Sequence, residues 1–215
     1  MLSYEYKEYV SNIAAEIRSH AIAVLYPKGC LDIENPLVMT IDIIERVIRD
    51  VYGGQLEPES TEVMMYESLG EGKFKVHYDR HNVSVSDLIH ELGHHFLLHD
   101  GEKPPQEGII ARNPLYAGDD KRGTNAFGDN REMAYHHEMA VNHFERAFLL
   151  PEREFRNAVK KSRLKEDVNE TTVYKCDVVT IANKFAVSYD LVETRLRDLG
   201  MWDSRNIHKK QRSTD

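Results

Sequence analysis

His90, Glu91 and His94 stand in the pattern H-E-x-x-H. The spacing carries a chemistry. Residues four apart share one face of a helix, about 5–6 Å from each other, so two imidazoles placed this way can converge on one metal ion. Glu91 follows the first imidazole directly and is badly placed to share that ion. It is well placed to hold a water and take its proton. Zinc is the default ion for such donors and lowers the pKa of a coordinated water toward about 7. Mn2+ and Fe2+ are the alternatives. Glu91 then acts as the catalytic base and passes its proton to a leaving amine. The plainer reading is a surface helix in a chain that carries 11 histidines.

A catalytic zinc site takes three protein ligands and keeps one position open. The version with a third histidine close by, H-E-x-x-H-x-x-G-x-x-H, does not fit, because Leu97 stands in place of the glycine and Asp100 in place of the histidine. His95 lies about 100° around the helix from His94, and His99 follows it on that other face. A carboxylate from a later helix fits better. Glu138 sits at the edge of an apolar stripe of His137, Val141, Phe144 and Phe148 and can face a buried site. Glu145, two turns on, shares that face and is its rival. His77, His81, His136, His137, Tyr116 and Tyr135 are candidates to steady an oxyanion, and the sequence does not rank them.

The elements that must position these residues follow from periodicity. Val10, Ile13, Ala14, Ile17, Ala21 and Val24 recur at steps of three and four, which predicts a helix over 4–26, stopped by Pro27-Lys28-Gly29. A second helix is expected from Thr40, its cap, to Tyr52, with Gly53-Gly54 as the stop. Two or three short strands should follow, among them 62–68 and 73–78 around a hairpin loop at 69–72. The H-E-x-x-H segment rides on a third helix, opened by Ser84 and Asp87 as a capping box and running to about His99. Residues 100–131 are rich in Gly, Pro and Asp and read as a long irregular loop, a lid or docking segment. A helix over 132–150, a short one over 152–161 and a pair over 178–185 and 191–199 complete the chain.

The expected fold class is α+β: a mostly helical, zincin-like domain with a small antiparallel or mixed sheet beside the H-E-x-x-H helix. Residues 1–151 form the catalytic core, 152–205 a helical segment packed on it within the same domain, and 206–215 a flexible tail. At 215 residues one domain with a real core is expected. A net charge of -8 argues against direct nucleic-acid binding. The N-terminus carries Glu5 and Glu8 and no apolar run, and the most apolar windows, 21–25 and 147–150, are too short to span a bilayer. Cys30 and Cys176, the two cysteines, read as small buried hydrophobes. Together these features place the chain in the cytoplasm.

HELGHHFLLH at 90–99 and EMAVNHFERAFLLP at 138–151 resemble two motifs of the ImmA/IrrE family of metallopeptidases. The second motif is matched at Glu138, Asn142, Phe144, Leu149, Leu150 and Pro151. A third is matched at Ala182, Phe185, Val187, Ser188, Arg195, Leu196, Leu199 and Gly200. The resemblance covers about residues 40–200 and implies His90, His94 and Glu138 as metal ligands, Glu91 as catalytic base and Asn142 as a structural or supporting residue. It also implies a protein substrate, a helix-turn-helix transcriptional repressor, whose cleavage switches on mobile-element or stress genes. Glu145 departs from the family, which has a small Ala there.

Two rival readings stand beside this one. Residues 182–199 can be read as a DNA-binding helix pair, although Lys184, Arg195 and Arg197 are balanced by Asp190, Glu193 and Asp198. A non-proteolytic antirepressor or toxin-type binding protein on the same fold is the other.

Overall fold

The computed structural model describes residues 2–27, 37–58, 64–70, 72–97, 131–162 and 177–201. Tyr116, His99, both cysteines, nearly all of the 100–131 loop and the 206–215 tail lie outside them. The chain divides into two units, Met1–Cys30 with Thr40–Phe148, and Leu31–Met39 with Leu149–Asp215.

In the first unit, helix α1 (Tyr4–Leu25) opens on Ser3, whose hydroxyl accepts the Tyr6 N–H at 3.2 Å. It buries Tyr6, Val10, Ala14, Ile17 and Ala21. The expected stripe stops there, for Val24 is 47% exposed. Helix α2 (Ile41–Arg46) is capped by Thr40 and widens into a π turn over Val47–Val51. Gly54 then lets the main chain pass against Phe74 and Ile48, where a Cβ would collide with both.

Three strands follow: β1 (Gln55–Pro58), β2 (Met65–Gly70) and β3 (Lys73–Tyr78), in the order β1-β3-β2. β1 runs parallel to β3 and β2 antiparallel to it. The period-two pattern of β3 buries Phe74, Val76 and Tyr78 on one face and leaves Lys75 and His77 on the other. β2 ends later than the sequence suggests, because pairing continues to Gly70 opposite Lys73. Gly70 and Gly72 both have positive φ, so the reversal occupies fewer residues than the expected loop. Helix α3 (Val85–Leu97) packs against β2 and β3, which puts the sheet beside the H-E-x-x-H helix. Helix α4 (Arg131–Leu149) contributes Ala140, Val141, Phe144 and Phe148 to the core. The architecture is α+β, mostly helical, with a small mixed sheet.

In the second unit, α5 (Glu152–Lys161), α6 (Val178–Phe185) and α7 (Tyr189–Asp198) bury Phe155, Val159, Ile181, Phe185, Val192 and Leu196. Ser188 caps α7 by accepting the Leu191 N–H, so this helix begins two residues before the periodicity suggests. Arg195 is only 1% exposed and donates from Nε to the Leu150 carbonyl at 3.1 Å. No described helix is long and apolar enough to cross a membrane.

Candidate metal centre

The site is built on the start of α3. Asp87 Oδ2 accepts the Ser84 N–H at 2.9 Å, and Ser84 Oγ accepts the Asp87 N–H at 3.2 Å. This reciprocal cap fixes where the helix begins. Leu88, Ile89 and Leu92 then face the core. His90 and His94 fall one turn apart, their rings 4.9 Å from centre to centre.

Glycine at position 93 brings the second helix in. A Cβ there would lie 3.0 Å from Phe144 Cδ1 and 3.1 Å from Val141 Cγ1. Both contacts belong to α4, so a bare backbone at Gly93 lets α4 approach closely enough to deliver its side chains. Glu138 Oε2 lies 3.3 Å from His90 Nε2, and Glu138 Oε1 lies 3.5 Å from His94 Nε2. The three residues offer ligand atoms all within 4.8 Å of one another. Donors about 2.0–2.2 Å from a tetrahedral zinc stand about 3.3–3.6 Å apart, and the two distances from Glu138 to the imidazoles fall in that range. The cluster could hold a metal ion.

The far side of each imidazole is also engaged. His94 Nδ1 lies 2.9 Å from Nε2 of the buried His137. His90 Nδ1 faces Glu145 Oε2 at 3.7 Å, and Ser86 Oγ donates to the other oxygen of Glu145. His90 and His94 thus present Nε2 to the Glu138 carboxylate and Nδ1 to a neighbour on α4.

Electrostatics separates the two histidines. Burial, with His137 alongside, pushes His94 down to about 3, which keeps it neutral and able to ligate. Burial likewise pushes His137 down to about 3. Burial opposes charge on His90 as well, but the facing carboxylates of Glu138 and Glu145 and the nearby Glu91 outweigh it and raise its pKa to about 10. The hydrogen bond to His90 holds Glu138 below the usual carboxylate range. Glu91 is buried, and burial raises it to about 7 against the pull of His90 and of the Tyr66 main-chain hydrogen bond. Glu138 keeps 42% of its side chain exposed, so the cluster opens to solvent on that side.

The structure brings His90, Glu91, His94 and Glu138 together. Asn142 is half-buried on α4, with no hydrogen bond to His90 or His94 among the described residues. His136 packs edge-on to Tyr135, their rings 6.0 Å apart, and Tyr135 is 62% exposed. His77 is bound on the sheet by Glu67 at 2.9 Å and faces Glu57 at 3.5 Å. His95 stacks on Phe74 at 3.9 Å, on the other helix face as expected. The pairing of Ser86 with Glu145 is not read from the sequence. Its one signal is that Ser86 lies four residues before His90, on the same helix face.

No family model matches the chain, and no curated protein matches it. Among solved structures, a Mycobacterium tuberculosis transcriptional regulator matches over 90% of this chain and 50% of its own length, with 16% identity and a TM-score of 0.46. The chain spans half the length of that protein.

Proposed function

We propose that the chain is a zinc-dependent endopeptidase of the ImmA/IrrE type that acts in the cytoplasm on a helix-turn-helix transcriptional repressor. The observation that carries this reading is the convergence of His90, His94 and Glu138 beside a buried Glu91. His90 and His94 from α3 and Glu138 from α4 would hold the ion. When bound, zinc supplies Lewis acidity that makes water a competent nucleophile near neutral pH. Glu91, in its buried pocket, orients the attacking water and accepts its proton. It then donates that proton to the amine of the departing peptide. The Tyr66 main-chain N–H steadies the Glu91 carboxylate. The repressor as substrate, and the release of mobile-element or stress genes, rest on the motif resemblance alone.

The buried Arg195 argues against the DNA-binding reading. Its guanidinium is committed to the Leu150 carbonyl, and a residue 1% exposed cannot meet a phosphate. Arg197 on the same helix lies 3.5 Å from Glu193.

The test incubates zinc-loaded protein with a purified helix-turn-helix repressor and with fluorogenic peptides. Cleavage by the wild type should fall by about 10²–10⁴ in Glu91→Gln while zinc stays bound. Repressor released intact by both proteins would replace this reading with a non-proteolytic antirepressor.

A further inference from the structure

Helix α4 does more at the cluster than supply one ligand. Seven residues after Glu138, on the same helix face, it places Glu145 behind His90. Glu145 is buried, at 9% exposure. A carboxylate there needs partners, and among the described residues it has two: Ser86 Oγ donates to Oε1, and His90 Nδ1 faces Oε2 at 3.7 Å. Ser86 and His90 are four residues apart on α3, so Glu145 bridges that helix face from the opposite helix. At 3.7 Å the two groups face each other at slightly more than hydrogen-bond distance.

We propose that Glu145, held in place by Ser86, is a positioning residue that orients the His90 imidazole with Nδ1–H toward its carboxylate and Nε2 toward the ion. The proposal rests on the metal-centre reading above. A ligating imidazole gains both a fixed tautomer and greater donor strength when its second nitrogen donates to a carboxylate. The two ligand histidines are then backed differently. His94 is backed by the imidazole of His137, while His90 is backed by the carboxylate of Glu145. Ser86 matters because it restricts Glu145: with Oε1 taken, Oε2 is the oxygen left for His90. Asn142 lies one turn nearer Glu138 and makes no such contact among the described residues.

The experiment measures zinc affinity by competition with a chromophoric chelator, and the visible spectrum of the Co2+-loaded protein. It compares wild type, Glu145→Ala, Glu145→Gln and Ser86→Ala, and the melting profile of each metal-free protein reports folding. Wild type that binds no zinc overturns the metal centre itself, and this proposal with it. Given binding, Glu145→Ala should lose about 10–100-fold in affinity and change the Co2+ bands. Glu145→Gln keeps an oxygen acceptor for Nδ1–H and should recover part of the loss. Ser86→Ala should lose less than Glu145→Ala. Should Glu145→Ala fail to fold, the Gln and Ser86 variants decide on the same readouts. Affinity within twofold of wild type, with unchanged Co2+ bands, in every folded variant overturns the role given to Glu145 and leaves the metal centre standing.

Discussion

Nδ1 of His94 lies 2.9 Å from Nε2 of His137, and both rings are buried. With both histidines neutral, one nitrogen of this contact donates and the other accepts. A metal on His94 Nε2 requires the proton on His94 Nδ1, so His137 Nε2 must accept it. The contact therefore accommodates the tautomer that leaves His94 Nε2 free.

His137→Leu tests this arrangement. It leaves a buried N–H on His94 without its acceptor, which costs about 1–3 kcal/mol. Urea unfolding of the metal-free protein should register that loss. Zinc affinity should fall by about 10–100-fold as well. An unchanged affinity would mean that the ring of His94 is held by packing alone.

Gly93→Ala probes the approach of the two helices. The new methyl would stand 3.0 Å from Phe144 and 3.1 Å from Val141, both fully buried, so neither can swing into solvent. Forcing atoms into a packed core costs about 1–3 kcal/mol. The same displacement moves Glu138 away from His90 and His94, so zinc affinity should drop together with the melting temperature. A drop in stability with unaltered affinity would show that α4 tilts about the site without opening it.

Much of this site is legible in the sequence, for a physical reason. His90, Glu91 and His94 lie within five residues, and helix geometry alone decides which of them share a face. The Ser84–Asp87 cap is local too, and it forms as the residue types require. What the sequence leaves open is long-range. Periodicity puts Glu138 and Glu145 on one face of α4 but does not say which of them meets which nitrogen of His90. That depends on how far α4 slides along α3, which Gly93, Val141 and Phe144 set by contact. β1 is hidden for a similar reason: four residues ending in Pro58 show no alternation, and the strand exists because β3 pairs with it. The DNA-binding reading counts Arg195 among its cations, and its burial against the Leu150 carbonyl is a tertiary contact that spacing does not show.

Metal removal and the third ligand make one further prediction. Protein purified without added metal should carry zinc, and Glu138→Ala should carry little. Undiminished zinc in that variant would remove Glu138 from the ligand set and point to Glu145 or a histidine. Binding should also depend on pH. Flanked by Glu138 and Glu145, His90 holds its proton up to about 10, and the ion must displace it. Zinc affinity should therefore strengthen as pH rises across neutrality, with about one proton released per ion, measurable by calorimetry in buffers of different ionisation enthalpy.

Stability at alkaline pH should be set by tyrosines. Burial, with a hydrogen bond to Glu45, raises Tyr78 to about 12. Its hydroxyl donates to Glu45 Oε1 at 2.7 Å. Burial likewise raises Tyr9, with Tyr6 beside it, and Tyr52, with Glu16 beside it, to about 12. An unfolded tyrosine titrates near about 10. The folded state therefore binds these protons more tightly. The stability they contribute is complete below about pH 10 and is lost as pH rises through about 12. Urea midpoints should hold level up to about pH 10 and then fall. Tyr78→Phe removes one titrating hydroxyl, so its midpoint should start lower, having lost the bond to Glu45, and fall less steeply. Equal slopes in the two proteins would show that Tyr78 does not titrate in this window.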